Sequence, residues 1–252
     1  DGTNGVLVAW VRVDSLSKSA DTTLYMYYGN SGSGNQENEH GTWNNNYLMV
    51  QHMTATDTIY DSTANHINGT NTGTTTDTGV IGGCRYFDST TDRYNFGNNN
   101  LLNPGLNSMT ISLWTKMTHV NNINIIQKYS GGGYFLKMYN NNYFYVSDGT
   151  RAAFRYWDTA WSDGNWHHIT MVINRNTNLI DLYIDGVLHN GWGGGNIAGF
   201  TSITTTANLF LYGGSNGRHD EFRIETTARD SNWIKTSYNN QKNPSIFYNI
   251  GI

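Results

Sequence analysis

The segment His219–Glu225 carries the residue types best suited to acid–base chemistry. Glycoside hydrolysis needs two carboxyl groups that flank one bond. Alternation along a strand places Glu221, Arg223 and Glu225 on one face. Because an arginine separates the two carboxylates, the pattern favours a charge-paired, exposed strand face over a catalytic pair. We therefore expect no catalytic residues and a protein that is not an enzyme.

Two adjacent histidines, His167 and His168, are the next candidates, as metal ligands. Neighbouring residues of a strand point to opposite faces, so these two side chains cannot bind one metal ion together. One is expected to pack beneath the sheet and the other to be exposed. The remaining histidines show no ligand spacing, so the sequence supports neither a zinc site nor a catalytic triad.

An oxygen-rich loop follows Tyr60. Asp61-Ser-Thr-Ala-Asn65 offers several side-chain oxygens, and Ca²⁺ takes about six to eight oxygen ligands. Two interpretations stay open for this loop: a structural calcium site that includes Asp61 and Asn65, and an ordinary Asx turn at Asp61.

Three tryptophans lie in segments that read as loops: Trp157, Trp161 and Trp192. Sugars stack their CH faces on aromatic rings while nearby amides and carboxylates bind their hydroxyls. These three residues are the predicted ligand-binding residues. The alternative is that they cover the edge of a sheet or pack on the N-terminal segment.

Antiparallel strands must position these side chains. Apolar and polar residues alternate from Trp166 to Ile173 and again from Ile180 to Leu188. Asn176-Thr-Asn178 supplies one turn, and Asp185-Gly186 is a two-residue hairpin signal. A single helix is predicted over Ala228–Tyr238, capped by Asp230 or Ser231.

Composition also indicates a chain built of antiparallel strands. The chain has 252 residues with 28 glycines, 2 prolines and 13% aromatic residues, which suits many short strands joined by tight turns. A net charge of −4 with 13% charged residues gives no electrostatic basis for binding nucleic acid or an anionic membrane. The single cysteine excludes an internal disulfide. No apolar run approaches the roughly 18 residues of a membrane-spanning helix.

The motifs and their order resemble the laminin G-like, concanavalin A-like jelly roll in its pentraxin-related prokaryotic form. The resemblance covers about residues 46 to 242 and is carried by seven segments: Tyr60–Gly69, Gly82–Asp88, Met109–Thr115, Asp163–Ile173, Leu179–Leu188, Leu211–Gly214 and Gly217–Glu225. It implies an all-β, antiparallel two-sheet sandwich in which Trp114 and Trp166 are core residues. It also implies a structural calcium bridging an early loop and the last core strand, with Asp61 and Asp220 as the matching carboxylates and Asn65 assisting.

The N-terminal region predicts a separate unit. Val6–Val13 and Thr23–Tyr28 read as a β-hairpin extension, and Tyr27-Tyr-Gly-Asn30 resembles the end of a small β-domain of unknown function often found before this sandwich. Residues 29–46 read as a linker. The expected organisation is a partial β-module and linker in residues 1–45, the jelly roll in 46–242 and a C-terminal strand or tail in 243–252.

The expected function is a non-catalytic carbohydrate-binding or adhesion domain of a larger secreted or cell-surface protein. The expected partner is a glycan, and neither nucleic acid nor membrane insertion is expected. An alternative is a structural subunit of a cell-surface assembly or filament, joined to other copies or neighbouring domains by strand addition. A polysaccharide-degrading enzyme is the third reading, because this sandwich serves lectins, adhesins and enzymes alike.

Overall fold

The computed structural model describes residues 7–17, 19–54, 58–120, 122–140, 142–157 and 161–246. Within them the chain forms two short helices and many strands. The helices are α1 (Glu39–Thr42) and α2 (Ser231–Lys242), and single 3₁₀ turns span Asn100–Leu102 and Pro244–Ile246. The strands are β1 (Tyr47–Gln51), β2 (Thr58–Ile59), β3 (Gly69–Thr72), β4 (Thr75–Thr78), β5 (Gly83–Phe87), β6 (Arg93–Asn95), β7 (Met109–Thr118), β8 (Ile123–Ser130), β9 (Gly132–Met138), β10 (Asn142–Ser147), β11 (Ala152–Trp157), β12 (Asp163–Asn174), β13 (Leu179–Ile184), β14 (Val187–Leu188), β15 (Phe210–Tyr212) and β16 (Gly217–Glu225).

The strands build two antiparallel sheets of eight strands each. The first sheet has the order β14-β13-β12-β7-β16-β5-β4, and β1 also pairs with β16. The second sheet has the order β11-β10-β9-β8-β15-β6-β3-β2. This is the predicted jelly-roll sandwich, and the fold-class prediction is confirmed.

One hydrophobic core fills the space between the sheets. On β7, Ile111 and Leu113 face inward, and on the second sheet Leu136, Phe144 and Val146 do the same, all of them fully buried. Strand alternation sends the intervening side chains to the two outer faces. The outer faces are therefore the places where a ligand can meet ordered side chains.

The central hairpins follow the sequence signals. Asp185 and Gly186 connect β13 to β14 with φ values of 52° and 77°. Two consecutive positive φ angles are the geometry of a type I′ turn, which matches the twist of the flanking strands. The turn before β13 ends at Asn178, whose φ is also positive at 56°.

Helix α2 covers part of the outer face of the first sheet. Its N-cap is Asp230, whose side chain accepts a hydrogen bond from Trp233 N at 2.8 Å. The helix buries Ile234 and Tyr238, and Trp114 Nε1 donates to Gln241 Oε1 at 2.9 Å. Trp114 is buried as predicted, but it lies between sheet and helix rather than between the sheets. Trp166, also predicted to be a core residue, is only half-buried.

The N-terminal hairpin is the part of the prediction that the structure does not form. In the described stretches 7–17 and 19–46 no residue belongs to a strand, and α1 falls within the predicted linker. This segment instead contacts the sandwich through Trp10, whose ring lies 4.4 Å from Arg223 Cζ. This contact is a cation–π interaction, whereas the hairpin pattern predicted strand pairing within the segment. The domain boundaries stay predictions, and most of the predicted C-terminal strand lies outside the described residues.

Candidate functional site

Aromatic side chains cover one end of the outer face of the second sheet. We call this surface the aromatic face. All its members are half-buried: Tyr129 on β8, Phe135 on β9, Tyr143 and Tyr145 on β10, and Phe154 and Tyr156 on β11. Four adjacent strands thus present rings to the same side of the sheet.

The rings form a continuous path across the strands. The centroids of Tyr156 and Tyr143 are 5.3 Å apart, those of Tyr143 and Phe135 5.5 Å, and those of Phe135 and Tyr129 5.3 Å. Phe135 also stacks on Tyr145 at 4.6 Å with an interplanar angle of 10°. These contacts hold the side chains in place, because aromatic pairs at such distances stabilise each other by about 0.5–1.5 kcal/mol.

Strand alternation and register explain this arrangement. In β10, Phe144 and Val146 point into the core, which leaves Tyr143 and Tyr145 on the outer side. Tyr143 pairs with Tyr156 and Tyr145 with Phe154, and directly opposed residues share a face. Burial raises the pKa of Tyr143 and Tyr145, so both phenols stay protonated at neutral pH.

Polar side chains continue the same face beyond the rings. Lys137 lies opposite Tyr143, and Gln127 lies opposite both Phe135 and Phe210. Further along, Asn95 pairs with Phe210. Rings next to amide and ammonium groups give the combination of stacking surface and hydrogen-bond donors that a sugar requires.

Trp192 extends the aromatic face at its β11 edge. Its backbone exchanges two hydrogen bonds with Tyr156, at 2.7 Å and 3.0 Å, as an isolated antiparallel bridge. Its side chain is 79% exposed and shares the face of Tyr156. Arg155 fixes this loop by donating to Ile180 O and Gly193 O, both at 3.0 Å. Gly193 is required there, since a Cβ atom would lie 2.7 Å from Phe154 O.

The other two predicted tryptophans, Trp157 and Trp161, are not equivalent to Trp192. Trp161 is fully buried and belongs to the hydrophobic core, so its prediction as a surface ligand residue is wrong. The segment before it read as a loop, and the core contact became visible only in the folded chain. Trp157 ends β11, but its side chain lies outside the described residues.

Both oxygens of the Asp61 carboxylate accept hydrogen bonds from the loop and from β1. Oδ1 accepts from Val50 N at 2.9 Å and Thr63 N at 3.0 Å, and Oδ2 accepts from Thr63 Oγ1 at 2.8 Å and Ile67 N at 2.9 Å. Four donors fill the lone-pair positions of a carboxylate. The bond to Thr63 N is the Asx turn. Asn65 Nδ2 donates to Leu48 O at 3.0 Å.

Asp220 lies in a different environment. Its Oδ2 accepts from Val80 N at 2.8 Å and Ile81 N at 2.9 Å, while the buried Oδ1 has no hydrogen-bond partner. Burial raises the pKa of Asp220 to about 8, and the charge of Glu221 adds to the increase. Among the described residues, no three His, Cys, Asp or Glu side chains converge as a metal site. Asp61 and Asp220 accept hydrogen bonds from different parts of the chain, and the calcium set of Asp61, Asn65 and Asp220 stays a prediction.

The two glutamates of β16 are buried and paired. Glu221 Oε1 lies 2.8 Å from His52 Nδ1, and Glu221 Oε2 accepts from Arg223 Nη2 at 2.6 Å. Glu225 pairs in the same way with Arg229. The expected charge pairing is present, but the strand face is covered rather than exposed. Burial opposes ionisation of Glu221, yet the charge of Arg223 and the hydrogen bond with His52 outweigh it and lower the pKa of that carboxyl.

The sequence contains a signal for the aromatic face, but the predicted ligand residues were tryptophans in loops and did not include these strand residues. Tyr143 and Tyr145, and Phe154 and Tyr156, are spaced two residues apart within strand-like segments. Aromatic residues at i and i+2 share one face of a strand. Which face becomes the outer one depends on the register and on the opposite sheet.

Comparison with known families agrees with this architecture. The family model of the concanavalin A-like lectin/glucanases superfamily matches residues 88–235, more than half of the chain. The chain belongs to this superfamily. The resemblance drawn from the sequence motifs is thereby confirmed. A second family model, that of a domain of unknown function, matches residues 1–91 of this chain. This agrees with the small β-domain that the sequence resembles at its N-terminus.

Solved structures share the fold at low sequence identity. The binding domain of Paraclostridial Mosquitocidal Protein 1 matches with a TM-score of 0.67 and 18% identity, covering 79% of this chain and 53% of that one. The ligand-binding domain of botulinum neurotoxin serotype D, solved with N-acetylneuraminic acid, matches with a TM-score of 0.63 and 16% identity, covering 81% and 53%. The chain thus spans about half the length of these structures. No curated protein sequence matches it.

Proposed function

We propose that this protein is a non-catalytic, extracellular carbohydrate-binding domain and that the aromatic face holds the glycan. The observation that carries the proposal is the path of rings from Tyr156 through Tyr143 and Phe135 to Tyr129. A toxin domain of the same fold is described as binding N-acetylneuraminic acid, which supports a glycan as the class of ligand.

The spacing of the rings favours an extended glycan that crosses the strands. Adjacent strands lie about 4.8 Å apart, so one ring per strand repeats at close to the length of one sugar residue. Because neighbouring rings are inclined by 54° to 85°, the path offers a glycan both ring faces and ring edges. Lys137 and Gln127 then lie where hydroxyl groups need hydrogen-bond partners.

Two observations support the absence of catalysis. Both glutamates of β16 are paired with arginines, Glu221 with Arg223 and Glu225 with Arg229. The aromatic face itself carries no carboxylate at the positions that pair across β8 to β11.

Neither helix in the described part of the chain has the length and apolar character that a membrane-spanning helix needs.

The test is a glycan array with the purified protein and a Tyr143→Ala/Tyr156→Ala variant. We expect the variant to bind its best glycan at least about tenfold more weakly, a loss of about 1.4 kcal/mol, because two stacking surfaces are removed. Trp192→Ala is expected to weaken binding less, because this ring lies at the edge. Trp161 is left intact since it belongs to the core.

Tyr60→Ala is the matched control, because this tyrosine is 63% exposed and lies on a loop. It should bind like the unmodified protein. Equal binding by the Tyr143→Ala/Tyr156→Ala variant, with its circular dichroism and melting temperature preserved, would remove the aromatic face as the ligand site.

Assembly by strand addition is a second candidate function, supported by one feature. Nine of the large exposed apolar side chains lie between Leu7 and Tyr28, including Tyr27 at 92% exposure. Exposed apolar surface of this extent commonly marks an interaction site. An alternating segment without a partner strand is suited to pair with the sheet edge of another copy.

Light scattering coupled to size-exclusion chromatography tests the assembly. We expect a molar mass above that of one chain at high protein concentration, and a return to one chain in a Val8→Asp/Tyr27→Asp variant. Tyr60→Asp serves as the control for added surface charge. A single-chain mass at every concentration would contradict strand addition.

A further inference from the structure

A cleft separates the N-terminal segment from the start of β1. It has a volume of about 260 Å³ and is lined on one side by residues 10–14 and on the other by residues 42–44 and Tyr47. None of these residues belongs to the aromatic face, which lies on the other sheet. The cleft is therefore a separate place for a ligand.

Aromatic rings form its walls. Trp10 and Trp43 both line the cleft, with ring centroids 5.5 Å apart and planes inclined by 49°. Tyr47 continues the wall at 4.9 Å from Trp43. Two indoles in contact with each other, next to a phenol, give this side of the cleft an apolar aromatic wall.

The walls are held rigid from the protein side. Arg223 does not line the cleft, and its Cζ lies 4.4 Å from the Trp10 ring and 5.0 Å from the Trp43 ring. Glu221 fixes Arg223 with a 2.6 Å hydrogen bond, and His52 stacks on Trp10 at 5.5 Å. The indole positions are thus set before any ligand arrives, which lowers the entropic cost of binding.

The charges at the rim are already paired. Arg12 and Asp14 are the charged residues that line the cleft, and Arg12 Nε donates to Asp14 Oδ1 at 3.0 Å. Arg12 Nη1 also donates to Gly41 O at 3.3 Å. Because these two charges satisfy each other, the residues lining the cleft offer a ligand no unpaired charge, and a cation would also meet indoles that already face a guanidinium.

We propose that the cleft between Trp10 and Trp43 is a binding site for one neutral pyranose sugar. Its volume suits a single ring rather than an oligosaccharide, since pockets for larger ligands reach about 300–1,000 Å³. The sugar CH groups pack against the aromatic wall, and Asn44, together with the Arg12–Asp14 pair, meets the hydroxyls. This site is independent of the aromatic face.

Nuclear magnetic resonance of the ¹⁵N-labelled protein tests the site through the indole N–H signals of the two tryptophans. Trp10→Phe and Trp43→Phe variants assign these signals. The probes are glucose, galactose, mannose, xylose and N-acetylglucosamine as neutral sugars, and glucosamine and N-acetylneuraminic acid as charged ones. We expect both signals to shift together with at least one neutral sugar, and the charged sugars to bind at least tenfold more weakly.

A blocking variant makes the result specific. Val11 lines the cleft but is 66% exposed, so Val11→Tyr should fill the space without disturbing the core and weaken sugar binding at least tenfold. Val187→Tyr is the matched control, because Val187 is 58% exposed and does not line the cleft. The Tyr143→Ala/Tyr156→Ala variant should keep the Trp10 and Trp43 shifts, which separates this site from the aromatic face.

Three results would overturn the proposal. They are an absence of Trp10 and Trp43 shifts with every neutral sugar in the folded protein, equal binding of charged sugars, and unchanged shifts in Val11→Tyr.

Discussion

Replacing Asp61 with alanine is expected to lower the free energy of unfolding by about 4 kcal/mol. The carboxylate accepts hydrogen bonds from three backbone N–H groups, of Val50, Thr63 and Ile67, and from the Thr63 hydroxyl. Asp61 is buried, so these donors would lose their partners away from water. Each unsatisfied buried donor costs about 1–3 kcal/mol. Urea unfolding followed by tryptophan fluorescence measures the loss.

Asp21→Ala is the matched control, since Asp21 is exposed and its loss should change the free energy of unfolding by less than about 0.5 kcal/mol. A loss below about 1 kcal/mol for Asp61→Ala would show that this carboxylate does not organise the loop. Repeating the measurement with Ca²⁺ and with a chelator tests the calcium prediction at the same time. Because four donors already occupy the Asp61 oxygens, we expect the same free energy of unfolding in both conditions.

The free energy of unfolding is expected to fall between pH 6.5 and pH 8 because of Asp220. The contribution of Asp220 itself declines from about pH 4 to pH 8, but the buried histidines oppose it below pH 6.5. Burial, and then the charge of Glu221, raises the pKa of Asp220 from 3.8 to about 8 in the folded protein. The folded state therefore holds a proton that the unfolded state releases. The stability from this group is complete below the unfolded pKa and is lost as pH rises through the folded one. The slope is about −1.4 kcal/mol per pH unit for one proton.

Other groups act over neighbouring ranges. Burial lowers the pKa of His168 to about 3 and that of His219 to about 4, so these neutral histidines stabilise the fold above pH 6.5 and lose that effect as pH falls. The pKa of His167 is raised, chiefly by its hydrogen bond to Asp185, and this adds to the loss above pH 6.5. The pKa of Glu225 is raised by burial, which opposes the histidines at the acid end.

Asp220→Asn isolates the contribution of Asp220. The amide oxygen can still accept from Val80 N and Ile81 N, so the loop keeps its hydrogen bonds. We expect the free energy of unfolding of this variant, relative to the unmodified protein, to increase by about 1.4 kcal/mol per unit from pH 5 to pH 7.5. Denaturation curves at half-unit steps give this difference. A difference that stays constant with pH would mean that Asp220 is ionised in the folded protein.

The sequence alone predicted what local chemistry decides. Asp185-Gly186 predicted a hairpin because few residue pairs accept two positive φ angles, and Asp230 predicted the start of α2 because its carboxylate caps the free N–H of Trp233. Alternation along β12 predicted that one of His167 and His168 is buried and the other more exposed, and the structure buries His168. Such features depend on a residue and its near neighbours, and they suffice to fix the class of fold.

The candidate sites depend on contacts between residues far apart in the chain. Trp161 and Trp192 looked equivalent in sequence, but the opposite sheet buries one while a bridge to Tyr156 places the other on the aromatic face. The Trp10 cleft requires Arg223, more than two hundred residues away, to hold the indoles. Strand alternation determined by itself which side chains share a face. Only sheet packing decided which face is solvent, because burial depends on what covers a residue and not on the residue itself.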